Sequence, residues 1–374
     1  MSTTETAGAF GSRPSPFPQA ATIFGVLRYA LLLAPSANRV YADAAGRLAR
    51  AELTVFAGSG VLDAPPVDAA VERIGGVEYL TFAAPEPGPR DLAHLANLSA
   101  AYALFERVGD DLLRPVPLHP LARYDSDLIT IPKYTGKTNE QFTRLLLNVT
   151  LLASASAPRM LDGPVVVLDP LCGRGTTLNQ ALMYGYDGIG VEHDGKDVDA
   201  YAAFLRTWLR RKRLKHTAEM VPVRRDRKLV ARRFETVVAP SRDAHRAGAT
   251  QRVTVLHADT TRAREVLRPR CADVIVTDAP YGVAHGSRTD AGLSRSPLDL
   301  LTAAVPVWRE LLRPGGALGL SWNTHVAPRA EAEAVLTAAG LRVVDGPGWR
   351  DLAHRVDQAI ERDVLVAVAP EENG

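Results

Sequence analysis

The sequence predicts an α/β protein: a mostly parallel sheet covered by helices, preceded by a smaller α/β domain. Three observations carry this reading. Beyond Val165, strand-like apolar runs alternate with stretches of helical spacing: VVVLD, GIGVE, VTVLHAD, DVIVTDAP, GALGLSW, LRVVD and VLVAVAP. Such alternation implies right-handed crossovers and a sheet buried on both faces. Each candidate polar group follows one of these runs, at the carboxyl end of a strand, where open α/β sheets bind ligands. The length of 374 residues, 46% hydrophobic and 23% charged, suits two domains of ordinary globular composition and excludes a wholly disordered chain.

In chain order, residues 1–20 (MSTTETAGAFGSRPSPFPQA) have no apolar period and are expected to form a disordered tail. Residues 21–120 are expected to form the N-terminal α/β domain, with RYALLLA and VEYLTFAA as strands and residues 37–51 and 92–105 as helices. Proline clusters at residues 64–66 and 84–89 mark loops. Nothing in this region carries recognisable chemistry. Two cysteines, Cys172 and Cys271, are too few for a disulfide framework or a four-ligand zinc site, so a reducing cytoplasm and no metal are expected. No apolar run reaches the ~18–20 residues of a membrane span. The best, residues 21–35, is short and carries Arg28, and the N-terminus lacks the basic region of a signal peptide. No membrane partner is expected.

The strongest motif is VVVLDPLCGRGTTLNQAL, residues 165–182. A buried strand ends in Asp169 and runs through Gly173-Arg174-Gly175 into a helix opened by Thr176 and Thr177. Glycines let the backbone approach a ligand, and a helix start offers free N–H groups. The third glycine of a dinucleotide fingerprint is replaced by Leu178, which disfavours a nicotinamide cofactor. The acid ahead of the glycines suits a cationic ligand end instead. GIGVE ends in Glu192, followed by His193 and Asp194, where an acid can take the ribose hydroxyls of an adenosine ligand. Asp259, after the third strand, either accepts from an adenine amino group or caps a helix.

The fourth strand supplies DVIVTDAPYG, residues 273–282. The lone pair of an exocyclic base amine is conjugated into the ring, so the amine is a poor nucleophile. Two acceptors on its N–H bonds, the Asp278 carboxylate and the Ala279 carbonyl, would push the nitrogen towards a tetrahedral state. The Tyr281 ring offers a face on which the base can stack.

These residues resemble the class I S-adenosylmethionine-dependent methyltransferases of the amino-group branch. DPLCGRGTT is similar to their D-P-F-C-G-S-G-T cofactor loop and TDAPYG to their D/N-P-P-Y catalytic motif. Within that branch the chain is most similar to the tRNA guanine-N2 methyltransferases: KYTGKTNEQFTRLLLN (residues 133–148) resembles their upstream cofactor segment, and HRVDQAIERDVLVAVA (354–369) their helix–strand ending. The resemblance covers about residues 125–369 and implies a Rossmann-like, seven-stranded, mostly parallel sheet over residues 125–370. It implies S-adenosyl-L-methionine as cofactor, held by Asp169, Pro170, Cys172, Gly173, Gly175, Thr176, Glu192, Asp194 and Asp259, with Thr138 and Asn139 from the upstream segment. It assigns catalysis to Asp278, Ala279, Pro280 and Tyr281. The family usually has proline where this chain has Ala279. Restoring proline there is expected to hold or raise activity, because it stiffens the loop without removing the carbonyl.

Charge is segregated. Residues 206–233 hold twelve Lys/Arg against Glu219 and Asp226, a net +10, so the remainder of a chain of net +2 carries −8. Val198, Tyr201, Ala202, Leu205, Trp208 and Leu209 give the preceding helix a buried face and leave its basic end exposed. Arg210, Arg211, Lys212, Arg213, Lys215, Arg224 and Arg225 are therefore candidate nucleic-acid contacts, the alternative being a solvated basic loop. RNA is favoured over DNA because only about fifteen loop residues, 283–297, follow Tyr281 before the next helix, too few for a DNA-recognition domain. A DNA amino-methyltransferase, a non-catalytic relative of the fold and a small-molecule amine as substrate are the other readings. The N-terminal domain is a candidate for RNA recognition.

Overall fold

The computed structural model describes residues 25–372, apart from 37, 110, 111, 135, 226, 280–287, 290, 291 and 294–296. The expected N-terminal tail, Pro280 and Tyr281 lie outside the described residues.

The N-terminal region comprises β1 (Val26–Leu33), α1 (Arg39–Gly58), β2 (Val67–Ile74), β3 (Val77–Pro85), β4 (Ala101–Val108) and β5 (Leu112–Val116). Its strands form one antiparallel sheet in the order β2-β3-β1-β4-β5. Alternation sends Tyr29, Leu31, Leu80, Phe82 and Leu104 to one face, where they are buried with Leu48 and Phe56 of α1. The single helix expected over residues 92–105 is corrected. A short helix, Pro89–Leu95, stops and β4 begins at Ala101. Alanine and leucine suit a helix, but the alternating run AYALFERV places Leu104 opposite Leu31, and pairing with β1 overrides local propensity.

The second sheet follows α2 (Glu140–Leu152). Its elements are β6 (Val166–Asp169), α3 (Thr176–Tyr184), β7 (Asp187–Glu192), α4 (Gly195–Arg211), β8 (His216–Arg225), β9 (Lys228–Val238), β10 (Gln251–His257) and β11 (Ala272–Asp278), then α5 (Pro297–Leu311), β12 (Leu312–Asn323), α6 (Arg329–Ala338), β13 (Arg342–Val343), β14 (His354–Arg355) and β15 (Glu361–Val368). The order is β13-β15-β12-β11-β6-β7-β10-β9-β8, with β14 also paired to β15. Five neighbouring strands, β12-β11-β6-β7-β10, are parallel. β15 and β9 join them antiparallel on either side. The sheet is therefore ten-stranded and mixed, not seven-stranded and mostly parallel. Two features make the difference. Residues 216–238, read as the basic end of a helix and a loop, form the β8–β9 hairpin. Residues 354–369, read as helix then strand, form β14 and β15 about a tight turn closed by Val356 N–H donating to the Ile360 carbonyl at 2.9 Å.

The two sheets share one core. Phe142, Leu146 and Val149 of α2 lie buried in the same cluster as Leu31 and Phe56 on one side and Val274 and Val364 on the other. A polar knot sits inside this seam. Glu52 of α1 is fully buried, and burial pushes its carboxyl up from the ordinary carboxylate range. Ser99 N–H donates to it at 2.9 Å and Asn148 Nδ2 at 2.7 Å. Asn148 Nδ2 also donates to the Asn97 carbonyl at 2.7 Å, while its Oδ1 accepts from Tyr184 OH at 2.8 Å. Asn148→Ala strips donors from a buried carboxylate and a buried carbonyl, so it should cost about 3 kcal/mol in urea unfolding. A loss under about 1 kcal/mol would show that the knot contributes little to joining the sheets.

Candidate functional site

The carboxyl ends of β6, β7, β10 and β11 lie along one edge of the sheet, with Asp169, Glu192 and Asp278 ending three of these strands and Asp259 just beyond the fourth. Asp169 ends β6 and is buried. Its Oδ1 accepts from Leu171 N–H at 3.1 Å and from Thr277 Oγ1 at 3.0 Å, and Thr177 adds a third hydrogen bond. Burial, with Glu192 nearby, raises its pKa to about 7. The chain then turns through Pro170, buried, and Cys172, whose N–H donates to the Val191 carbonyl at 3.0 Å. Burial pushes the Cys172 thiol up, and only glycine fits opposite it at Gly190, since a Cβ there would lie 2.6 Å from Sγ. Cys172 is thus a packing residue of the loop.

Gly175 sits at φ 78° and starts α3; a Cβ there would meet the Tyr201 ring at 2.4 Å. Gly173, at φ 49°, faces open space. Glu192, at the end of β7, accepts from Gly173 N–H at 2.8 Å and Asp194 N–H at 2.7 Å, so it shapes the loop as well as standing beside it. Thr176 Oγ1 meets Tyr134 OH at 2.8 Å, and the Arg174 guanidinium lies 5.1 Å from the Tyr134 ring centre. Asp194 caps α4 by accepting from Lys196 N–H at 2.8 Å. Asp259 caps the turn after β10, accepting from Thr261 N–H and Oγ1 at 2.8 Å each. Both carboxylates keep acceptor capacity beyond these caps.

Asp278, at the end of β11, is held from three directions. Ser321 Oγ of β12 donates to Oδ1 at 2.6 Å, while Thr138 Oγ1 and Arg362 Nη2 of β15 reach Oδ2 at 2.8 and 3.1 Å. The Arg362 side chain is 4% exposed and its guanidinium lies 4.2 Å from the Phe142 ring centre. Ala279 is buried, and its N–H donates to the Ser321 carbonyl at 2.8 Å. A proline at 279 would delete that hydrogen bond, a cost that the sequence alone does not reveal. Thr138, expected beside the cofactor, donates to Asp278. Asn139 caps α2 by accepting from Phe142 N–H at 3.1 Å, and its Nδ2 reaches Ser36 Oγ at 3.3 Å.

Sequence reasoning missed Ser321 and Arg362 as partners of Asp278. The available signal was a hydroxyl interrupting the apolar run GALGLSW and a cation in the charged start, ERD, of the strand ERDVLVAV.

The basic segment is less uniform than its sequence. The six residues expected to be buried on α4 are buried. Lys212 is neutralised between Asp125 at 2.6 Å and Asp127 at 2.7 Å. Arg232 pairs with Asp199 at 3.2 Å, Arg233 with Glu235 at 3.2 Å, and Arg206 stacks over Phe234. Arg210, Arg211, Arg213, Lys215, Arg224 and Arg225 are exposed.

Residues 160–296, from just before β6 through the Asp278 motif, match the family model described as RMKL-like, methyltransferase domain. No curated protein matches the chain at a significant level. Among solved structures, a methyltransferase from Pyrococcus furiosus is 13% identical, with 64% of this chain and 88% of that one covered and a TM-score of 0.35. A TehB-like SAM-dependent methyltransferase from Corynebacterium glutamicum is 15% identical, covering 56% and 80%, with a TM-score of 0.29. A putative rRNA-methylase from Clostridium thermocellum is 11% identical, covering 55% and 88%, also at 0.29. These are distant likenesses. The family match is the stronger finding: residues 160–296 are similar to a methyltransferase domain, and the similarity spans both motifs.

Proposed function

We propose that the chain is an S-adenosylmethionine-dependent N-methyltransferase acting on an exocyclic base amine of RNA, with guanine N2 in tRNA the substrate its motifs match best. The observation that carries this reading is the bond between the two motifs. Thr277 Oγ1 donates to Asp169 Oδ1, so the residue beside Asp278 grips the carboxylate that opens the glycine loop. A loop suited to an adenosine ligand and a carboxylate suited to an amine are thereby fixed side by side.

The residues present fit the cofactor by the chemistry of the donor set. Asp169 and Glu192 end β6 and β7, Asp259 follows the end of β10 by two residues, and Gly173 has open space where a side chain would stand. Asp169 would face the cationic amine end, Glu192 the ribose hydroxyls and Asp259 the adenine amino group. Bound S-adenosylmethionine supplies an electrophilic methyl group. The chain supplies placement of the amine, which accounts for most of the rate gain available in an in-line displacement. The Asp278 carboxylate and the Ala279 carbonyl accept from the two N–H bonds and localise the nitrogen lone pair. Ser321, Thr138 and Arg362 hold Asp278 in position, so little reorganisation accompanies the reaction. A base within structured RNA must first leave its stack, at a cost of a few kcal/mol.

Asp278→Ala should lower turnover on tRNA at least ~10²-fold, about 2.7 kcal/mol of barrier, with cofactor affinity by calorimetry changed less than ~3-fold. Wild-type turnover in this variant would move the catalytic site elsewhere. Ala279→Pro should fail to raise turnover and should lower stability by about 1 kcal/mol through the lost bond to Ser321; a faster enzyme would show that loop rigidity outweighs it. Because burial raises the Asp169 pKa to about 7, the carboxyl is protonated below that pH and ionised above it. A cationic ligand end favours the ionised form, so cofactor affinity should rise as pH increases through about 7, with proton release below it. Asp169→Asn should flatten this dependence. Affinity that is level across the same range in the wild type would remove Asp169 from the cofactor site.

A further inference from the structure

Lateral partners in the sheet run Glu192–His257–Arg232–Pro222, across β7, β10, β9 and β8. At this row β7 and β10 end, on the edge that carries Glu192, Asp259 and Asp278. The hairpin does not end there. Residues 223–225 of β8 and 228–231 of β9 continue past the row. At ~3.3 Å per residue, about four residues overhang the edge by about 13 Å. The overhang carries Arg224, Arg225, Arg227 and Lys228, all exposed, and none of them ion-paired among the described residues. Arg227 turns the corner at φ 64°.

The other exposed cations of the basic segment point the opposite way along the sheet. α4 returns from the carboxyl end of β7, so Arg210, Arg211, Arg213 and Lys215 precede His216, which pairs with Val238. Val238 in turn pairs with Gln251, at the amino end of β10. Nine steps of ~3.3 Å along β8 separate the two clusters by about 30 Å. A segment that reads as one basic patch is therefore two, at opposite ends of a strand.

We infer that the β8–β9 tip grips the phosphodiester backbone of the substrate, and that the basic end of α4 does not. This rests on the proposed function, because it is the Asp278 edge that makes the tip's side of the sheet the working side. Four strand steps, β11-β6-β7-β10-β9, place the tip about 20 Å laterally from Asp278 at ~4.8 Å each. A free nucleoside or small amine cannot span that distance. A nucleic acid can, since about six stacked nucleotides cover it at ~3.4 Å each. Three guanidinium groups and one ammonium suit successive phosphates, which arginine binds with two donors at once. Such contacts fix the register of the substrate and leave selection of the base to the pocket.

The test uses the full chain, fluorescein-labelled tRNA transcript and anisotropy titrations at salt between about 50 and about 200 mM. One variant carries Arg224→Ala, Arg225→Ala, Arg227→Ala and Lys228→Ala. A second carries Arg210→Ala, Arg211→Ala, Arg213→Ala and Lys215→Ala. The tip variant should weaken binding at least ~10-fold and reduce the slope of log affinity against log salt by about 2 to 4, at ~0.7–0.9 for each phosphate left without its cation. The α4 variant should fall well short of both changes. Loss that follows the α4 variant, or neither variant, overturns the inference. So does a wild-type chain that shows no salt-dependent RNA binding, while leaving methyl transfer to a free nucleoside or small amine to be judged separately. Binding is read without turnover, so a chain that binds RNA through the tip but methylates nothing would overturn the proposed reaction and not this assignment.

Discussion

The hydrogen bond from Thr277 to Asp169 is the contact that joins the glycine loop to the strand of Asp278. A buried carboxylate is costly unless its lone pairs are met. Asp169 meets them locally with Leu171 N–H and Thr177, and across the sheet with Thr277. The strand that opens the glycine loop and the strand that carries Asp278 pair through Val274–Val167 and Ile275–Leu168, and this bond carries their contact on to the strand ends. On the other side of β6, Glu192 holds the loop that follows by accepting from the Gly173 N–H.

The second carboxylate does for the chain what the first does for the sheet. Asp278 gathers residues far apart in sequence, Thr138, Ser321 and Arg362, onto one side chain. Arg362 is itself backed by Phe142, whose helix is capped by Asn139, and Asn139 touches Ser36 of the N-terminal region. Removing one partner from a buried ion pair typically costs about 3–5 kcal/mol, because the other charge is left stranded. The Asp278 carboxylate is therefore coupled to the seam between the sheets. The N-terminal sheet shares the core that holds α2 in place, whatever else it contacts.

Much of this was legible in the sequence because apolar runs followed by acids mark strand ends. VVVLD, GIGVE and DVIVTD announce both the strands and the edge on which their carboxylates meet, and the six apolar positions of α4 define its buried face. What was hidden depends on pairing across distance. β4 reads as helix because Ala, Leu and Glu favour one, and only its place beside β1 makes it a strand. The β8–β9 hairpin escaped because its alternation sets arginine against valine and threonine, leaving no strongly apolar face. The bond from Thr138 to Asp278 was hidden as well, since spacing along the chain does not tell which carboxylate a hydroxyl will meet.

The hairpin also changes what the sheet presents to other molecules of its own kind. Without it β10 would be an outer strand, with the unpaired backbone groups of residues 251–257 open to any extended segment that came near. The exposed boundary moves instead to β8, where Pro222 lacks an N–H and Arg224 and Arg225 repel a second copy. A hairpin that carries charge out past the ends of β7 and β10 therefore also closes the side of the sheet to strand-on-strand aggregation, and a chain trimmed of it would lose solubility before it lost its fold.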